Sequence, residues 1–228
     1  MDLAVFGPAG AEFIYRWLHF LTGVCWIGML WYFNFVQGSF FAETEANVKT
    51  GVVQKLVPRA LWWFRWGALG TWLTGVALLM ANAKNAGMDI FGTSWGVTIL
   101  TGALMGTYMF LNVWVIIWPA QKKVIAAANG ESVPDAAAAG ARAGLASRTN
   151  TLFSIPLLFF MGAAKHLPIN IDQTKGIATA LIVNAVIITL IEVNGLAGKA
   201  GPMKSVKGVI SCGFILTAVL YGLLECLV

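Results

Sequence analysis

WGVTILTGALMGTYMFLNVWVIIW, Trp95 to Trp118, contains no charged side chain. At about 1.5 Å of rise per residue, a helix over this stretch is long enough to cross the roughly 30 Å hydrocarbon core of a bilayer. Its apolar residues do not alternate with polar ones, as the strands of a membrane barrel do over about ten positions. Lipid offers backbone amides and carbonyls no partner, so a chain of this pattern must cross as helix. The stretch predicts an all-α membrane protein.

Outward from it, five more apolar segments read as spans. They cover about Phe13 to Val36, Trp62 to Ala81, Thr151 to Leu167, Gly176 to Gly195 and Val206 to Val228. The Thr151 segment is short, and Pro156 is expected to kink it or to sit in its first turns. The expectation is a bundle of about six transmembrane helices forming a single domain over residues 1–228. The whole composition agrees: 58% of residues are hydrophobic and 11% charged, against about 25% charged in soluble domains. The start, MDLAVFGPAGAEF, has no basic leader region, so the first apolar run is expected to be retained rather than cleaved.

Two connections are long. QGSFFAETEANVKTGVVQKLVPRA is expected to hold an interfacial helix. AQKKVIAAANGESVPDAAAAGARAGLASRTN reads as a surface loop with one or two helical turns, because Asn-Gly and Val-Pro interrupt it. The net charge of +5 resides in such connections. It therefore reports membrane topology rather than a nucleic-acid partner. Ten of the fifteen basic residues fall on one side, including Lys49, Lys55, Arg59, Lys122 and Lys123. That side is expected to be cytoplasmic. Both termini then lie on the outer, periplasmic side of a bacterial inner membrane.

Two histidines stand out. His19 lies in RWLHFLTGVCWIG, about 9 Å along the first span from its outer end. His166 lies in GAAKHLP, at the end of a span that runs outward. Both are expected on the outer side. Ionisable residues in spans suggest function, and imidazole is a common axial ligand of haem iron. His19 and His166 could together clamp one b-type haem. Arg16, on the same helical face as His19, could neutralise a propionate. The plainer alternatives are a His19 bonded to a neighbouring helix, an interfacial His166 and an Arg16 snorkelling to the surface. The ten tryptophans read as an interfacial belt, with a planar-cofactor lining as the sharper alternative.

Other polar positions read as structural. Asn112 and Asn184 are expected to hydrogen-bond between helices. Glu192 and Glu225, near opposite ends of their helices, are expected at the interfaces. Gly102 and Gly106 form a GxxxG pair. Cys25, Cys212 and Cys226 lie in apolar segments without a CxxC or CxxCH, which argues against covalent haem and a thiolate zinc site. No phosphate loop, HExxH motif or nucleophile elbow is present, and no residue is singled out as catalytic.

Four segments carry a family resemblance. RWLHFLTGVCWIG, WFRWGALGTWLTG, NVWVIIWPAQKK and SRTNTLFSIPLLFFMGAAKHLP resemble, in order, segments of the membrane-bound urate oxidase N-terminal domain family. The resemblance implies a polytopic membrane domain that serves urate oxidation and passes electrons to a cytochrome c outside the cytoplasm. Three departures mark this chain: Thr149 stands at a family histidine, Gly67 at a frequent acidic position, and LIEVNG where the family has an Arg-His pair. Without a CxxCH it is expected to be a short member lacking its own cytochrome. A fainter similarity of WxHxxxxxxWxG, Trp17 to Gly28, to haem-binding protoporphyrinogen oxidase and copper-resistance membrane families favours His19 as a ligand.

The leading expectation is thus an inner-membrane redox protein that binds haem and exchanges electrons with a cytochrome c or a larger complex. The rivals are a urate or purine oxidase using a separate cytochrome, and a non-catalytic subunit of a respiratory or photosynthetic complex.

Overall fold

The computed structural model describes residues 7–172 and 176–228. Residues 1–6, the beginning of the segment read above as uncleaved, lie outside the described residues. The chain is helical throughout, with no strand among the described residues.

Helix α1 runs over residues 8–43: an α-helix Pro8–Trp31, a widened π-turn Tyr32–Gln37 and a last α-helical stretch Gly38–Glu43. Helix α2 is Ala46–Lys55 and α3 is Val57–Ala86. Helix α4 is Ser94–Ala128, with a second π-turn at Asn112–Ile117. Helices α5, α6 and α7 are Ala136–His166, Ile177–Ala197 and Val206–Leu227. Local chemistry sets several ends. The side chains of Thr93 and Ser205 accept from the amides of Gly96 and Gly208 at the starts of α4 and α7. Gly87, at φ 82°, terminates α3 in a backbone region that glycine tolerates. The π-turn of α4 ends two residues before Pro119, whose ring lacks an amide hydrogen and would crowd the carbonyl four residues back.

Four helices, α1, α4, α6 and α7, are long and apolar enough to cross a membrane. Helix α3 mixes Arg59, Arg65 and Lys84 with tryptophan and glycine, and the apolar run of α5 is interrupted by Thr149, Asn150, Thr151 and Ser154. The expected first-loop helix is present as α2. The expected second loop is not a loop. Helix α4 continues to Ala128 and α5 begins at Ala136, which leaves only residues 129–135 between them. The alanines there, poor in turn chemistry but good helix formers, extend both helices. Lys123 and Asp135 close this short connection with an ion pair that holds the Asp135 carboxyl below the usual carboxylate range. Pro156 lies in the interior of α5 rather than in its first turns.

Packing partners give the directions. His19, Thr22 and Trp26 of α1 meet Thr74, Thr71 and Gly67 of α3, so these two helices are antiparallel. Asn112 meets Asn150 and Gly102 meets Phe160, so α4 and α5 are antiparallel too. Tyr108 bonds Thr189 and Asn112 bonds Glu192, so α4 and α6 run the same way. The polarity is that of a lipid-bathed protein. Phe13, Trp17, Phe20, Ile182, Leu190 and Phe214 are exposed, whereas Asn34, Asn112, Asn150, Asn184 and Glu192 are buried.

The α1–α3 seam is the closest approach. A Cβ at Gly67 would lie 3.0 Å from the backbone nitrogen of Trp26 and 3.2 Å from the Thr22 carbonyl oxygen. Neither backbone atom can rotate away, so only glycine lets these helices touch. Gly28, one turn beyond Gly23 and Val24 on α1, faces open space. Gly67→Leu is expected to lower unfolding stability in detergent by about 1–3 kcal/mol through overpacking. Gly28→Leu is expected to stay within about 0.5 kcal/mol of the parent.

Candidate functional site

His19 is half-buried where α1 crosses the upper part of α3. Its Nδ1 lies 3.1 Å from Thr74 Oγ1. A threonine hydroxyl has one hydrogen, and Thr74 donates it along its own helix, 2.6 Å from the Gly70 carbonyl oxygen. Towards the imidazole, Thr74 can therefore only accept. The Nδ1–H of His19 donates to it, and in the neutral ring the lone pair is left on Nε2. Gly75 makes room for this ring: a Cβ there would lie 3.1 Å from His19 Cε1.

Arg16, one turn before His19, is ion-paired with Glu12. His166 is exposed in the last turn of α5, next to Lys165. The segment after it returns to the start of α4, where Ile169 N donates to Ser94 Oγ at 2.7 Å. The axial levels of the two histidines follow from the α1–α5 contact, where Trp31 Nε1 donates to Ser154 Oγ at 2.9 Å. His19 precedes Trp31 by as many residues as His166 follows Ser154. At about 1.5 Å per residue, both lie roughly 18 Å along their helices from that bond, at the same end of the bundle. The structure thus brings His19 together with Thr74 and Gly75 of α3, and Arg16 together with Glu12. No group of three or more His, Cys, Asp or Glu side chains suited to a metal occurs among the described residues.

A second polar site lies deeper, at the π-turn of α4. Asn112 Nδ2 donates to Asn150 Oδ1 at 2.8 Å and to Glu192 Oε2 at 3.1 Å. Asn150 Nδ2 in turn donates to the Met109 carbonyl at 2.9 Å. Thr149 packs on Gly195, one turn beyond Glu192. All four polar residues are buried. The centre of this node is a donor, the Asn112 amide, so it is built to hold a carboxyl oxygen rather than a cation. The first π-turn has a matching arrangement: Asn34 Nδ2 donates to the Leu30 carbonyl and to Ser147 Oγ. Widened turns of this kind frequently mark functional positions.

The expected inter-helix bonds of Asn112 and Asn184 are present. Asn184 Nδ2 donates to the Leu220 carbonyl across to α7. Its Oδ1 is buried without a partner beside a cleft of about 210 Å³ between α4 and α6. Glu192 corrects the expectation: it is buried on the bundle side of α6, not at an interface. The signal was present in its spacing, because Asn184, Ile188, Glu192 and Gly195 share one helical face, and that face turns inward.

Asn112→Ala is expected to destabilise the protein by about 1–3 kcal/mol, the range for leaving buried partners unsatisfied. With Glu192→Gln in a double-mutant cycle, the coupling between the two positions is expected to exceed about 0.5 kcal/mol. Additive single effects in detergent unfolding would show that the pair does not interact.

Among known proteins, residues 82–219 match the family described as Urate oxidase N-terminal. No curated protein and no solved structure matches the chain. The matched region runs from the end of α3 into α7. It contains the segments NVWVIIWP and SRTNTLF, whose asparagines, Asn112 and Asn150, meet in the buried node. By this match over more than half its length, the chain belongs to the urate oxidase N-terminal family.

Proposed function

We propose that the chain is a multi-pass redox protein of the bacterial inner membrane that binds one b-type haem near the outer face and exchanges electrons with a cytochrome c or a larger membrane complex. In this reading six helices span the bilayer and both termini face out. Helices α3 and α5 are then the two spans less apolar than the other four, and the basic connections lie in the cytoplasm.

One observation carries the reading. His19 is a membrane-level imidazole whose Nδ1–H is committed to Thr74, so in the neutral ring the lone pair that a metal would take is on Nε2. Metal-bound histidines are held in this way, with the far ring nitrogen donating to a fixed acceptor. The donor set therefore fits a haem iron. His19 and His166 would hold the group through ring nitrogens, with Arg16 as a charge near a propionate. Bound there, haem supplies a one-electron couple. The remaining work is done by the chain. Thr74 fixes the tautomer and plane of His19. Gly75 leaves the ring its space. Gly67 and Gly70 close the α1–α3 seam below it.

Family membership motivates a second reading, a urate or purine oxidase that passes electrons to a separate cytochrome. Its test is urate-dependent reduction of added cytochrome c by membranes containing the chain. Rates equal to those of membranes lacking the chain remove it. The exposed aromatic face of α1, with Phe13, Trp17 and Phe20, motivates a third, a non-catalytic subunit of a respiratory or photosynthetic complex. Co-purification with such a complex and no cofactor of its own would favour it.

The purified protein is expected to show Soret and α-band changes in a reduced-minus-oxidised spectrum. His19→Ala is expected to abolish them. Thr74→Val, which keeps the side-chain shape and removes the acceptor, is expected to retain a signal but weaken cofactor retention about 10–100-fold. A featureless difference spectrum, or one that His19→Ala leaves unchanged, overturns the haem reading.

A further inference from the structure

At the end of the bundle opposite His19, aromatic rings and cations interleave. The Arg65 guanidinium carbon lies 4.0 Å from the centroid of the Trp118 ring, 5.5 Å from that of Trp66 and 5.7 Å from that of Trp114. Trp66 and Trp114 are themselves in edge contact at 5.5 Å, and Trp62 packs on Trp66 at 6.3 Å. Lys122 lies 5.8 Å from the same Trp118 ring. One turn further down α3, Pro58, Arg59, Trp62 and Trp63 line an open groove of about 410 Å³. Arg59, Trp62, Trp63, Trp66 and Lys122 are exposed.

This cluster has more cation than the protein uses. The ion pairs among the described residues are Arg16–Glu12 and Lys123–Asp135, and neither contains Arg59, Arg65 or Lys122. The Nε of Arg65 is buried without an acceptor. A guanidinium stacked on an indole keeps its plane fixed and its edge free, and that edge matches two oxygens of a phosphate. Indoles prefer the depth of headgroups and ester carbonyls, apolar on one side and wet on the other. A free soluble anion needs the cations but has no use for the half-exposed rings of Trp62 and Trp63. A phospholipid uses both.

We propose that Arg59 and Arg65, framed by Trp62, Trp66 and Trp118, form a binding site for the phosphate of an anionic membrane phospholipid. Trp118 holds the Arg65 plane, Arg59 closes the groove over the second face of the headgroup, and the indoles of Trp62 and Trp63 cover the upper acyl chain. Lys122 adds charge at the rim. The site is independent of the haem reading, because it lies at the other end of α3 and needs no cofactor.

The test is a lipid titration of the detergent-purified protein followed by native mass spectrometry, with phosphatidylglycerol against phosphatidylcholine. A saturable phosphatidylglycerol adduct is expected. Arg59→Gln and Arg65→Gln should each weaken it about fivefold, the effect of one juxtamembrane cation. Arg65→Lys should weaken it as well, because the fork is lost while the charge remains. Trp118→Leu should weaken it with all charges in place. Lys84→Gln, at the far end of α3, should leave it unchanged. Melting temperatures of the variants separate lost binding from lost folding. A variant that fails to fold is replaced by competition on the parent protein, where phosphatidylglycerol should displace a labelled anionic lipid and phosphatidylcholine should not. Equal binding of both lipids, or an equal effect of Lys84→Gln, overturns the site. Inorganic phosphate competing as well as the lipid would assign it to a soluble anion and overturn it too.

Discussion

The Asn112 carboxamide, bonded to both Asn150 and Glu192, holds three of the long helices in register. In hydrocarbon an amide without a partner costs several kcal/mol, because no water can replace it. Asn112 stands where α4 opens into a π-turn, and a widened turn shifts the amide ladder and releases a carbonyl. Asn150 answers with its own amide on the Met109 carbonyl, while its oxygen takes one hydrogen of Asn112. The other goes to Glu192. Helices α4, α5 and α6 are thus tied at one depth. Sliding any of them by a turn would strand a carboxyl or a carboxamide in an apolar interior.

From that node the rest of the bundle follows along α5. Ser147 and Ser154 bind α1 through Asn34 and Trp31, and Thr149 sits against Gly195 of α6. One helix therefore carries hydrogen bonds to two others and packs a threonine against a third. This explains why α5 is less apolar than its neighbours: its polar stripe is consumed by partners and does not face lipid. The contact with α1 also sets where the two histidines stand, since each lies the same distance along its helix from the Trp31–Ser154 bond. Helix α3 is attached differently. It joins α1 by close backbone approach at Gly67 and Gly70, with the Thr71–Thr22 and His19–Thr74 hydrogen bonds in the same seam.

The apolar runs made the helices legible from the sequence, and NVWVIIWP already held the asparagine and the proline that frame the second π-turn. The residues that bond between helices were harder to see. Asn112 was expected to bond another helix, but its partners lie 38 and 80 residues away, and nothing local names them. Glu192 lies near a helix end, but the face it shares with Asn184, Ile188 and Gly195 decides its burial. In the segment 120–150 one Asn-Gly and one Val-Pro signal a loop, but the long alanine-rich stretches on both sides outweigh them. Those breakers open only residues 129–135. The role of Thr74 was invisible in sequence, since it depends on an oxygen 55 residues from His19 and on the hydrogen that oxygen has already given away.

Family membership and the redox proposal rest on different parts of the molecule. The matched residues 82–219 include the node of Asn112, Asn150 and Glu192 and also His166, but they exclude α1 and nearly all of α3. His19, Thr74 and Gly75 therefore lie outside the match. The matched part supplies a trio of helices tied together by Asn112, Asn150 and Glu192. The pair α1 and α3 meets that trio through α5, at the Trp31–Ser154 bond, and through α4, where Trp72 donates to Thr107 and stacks on Phe110. The candidate imidazole of the redox proposal, His19, stands on the pair outside the match. The shared trio then serves as the frame that fixes its depth.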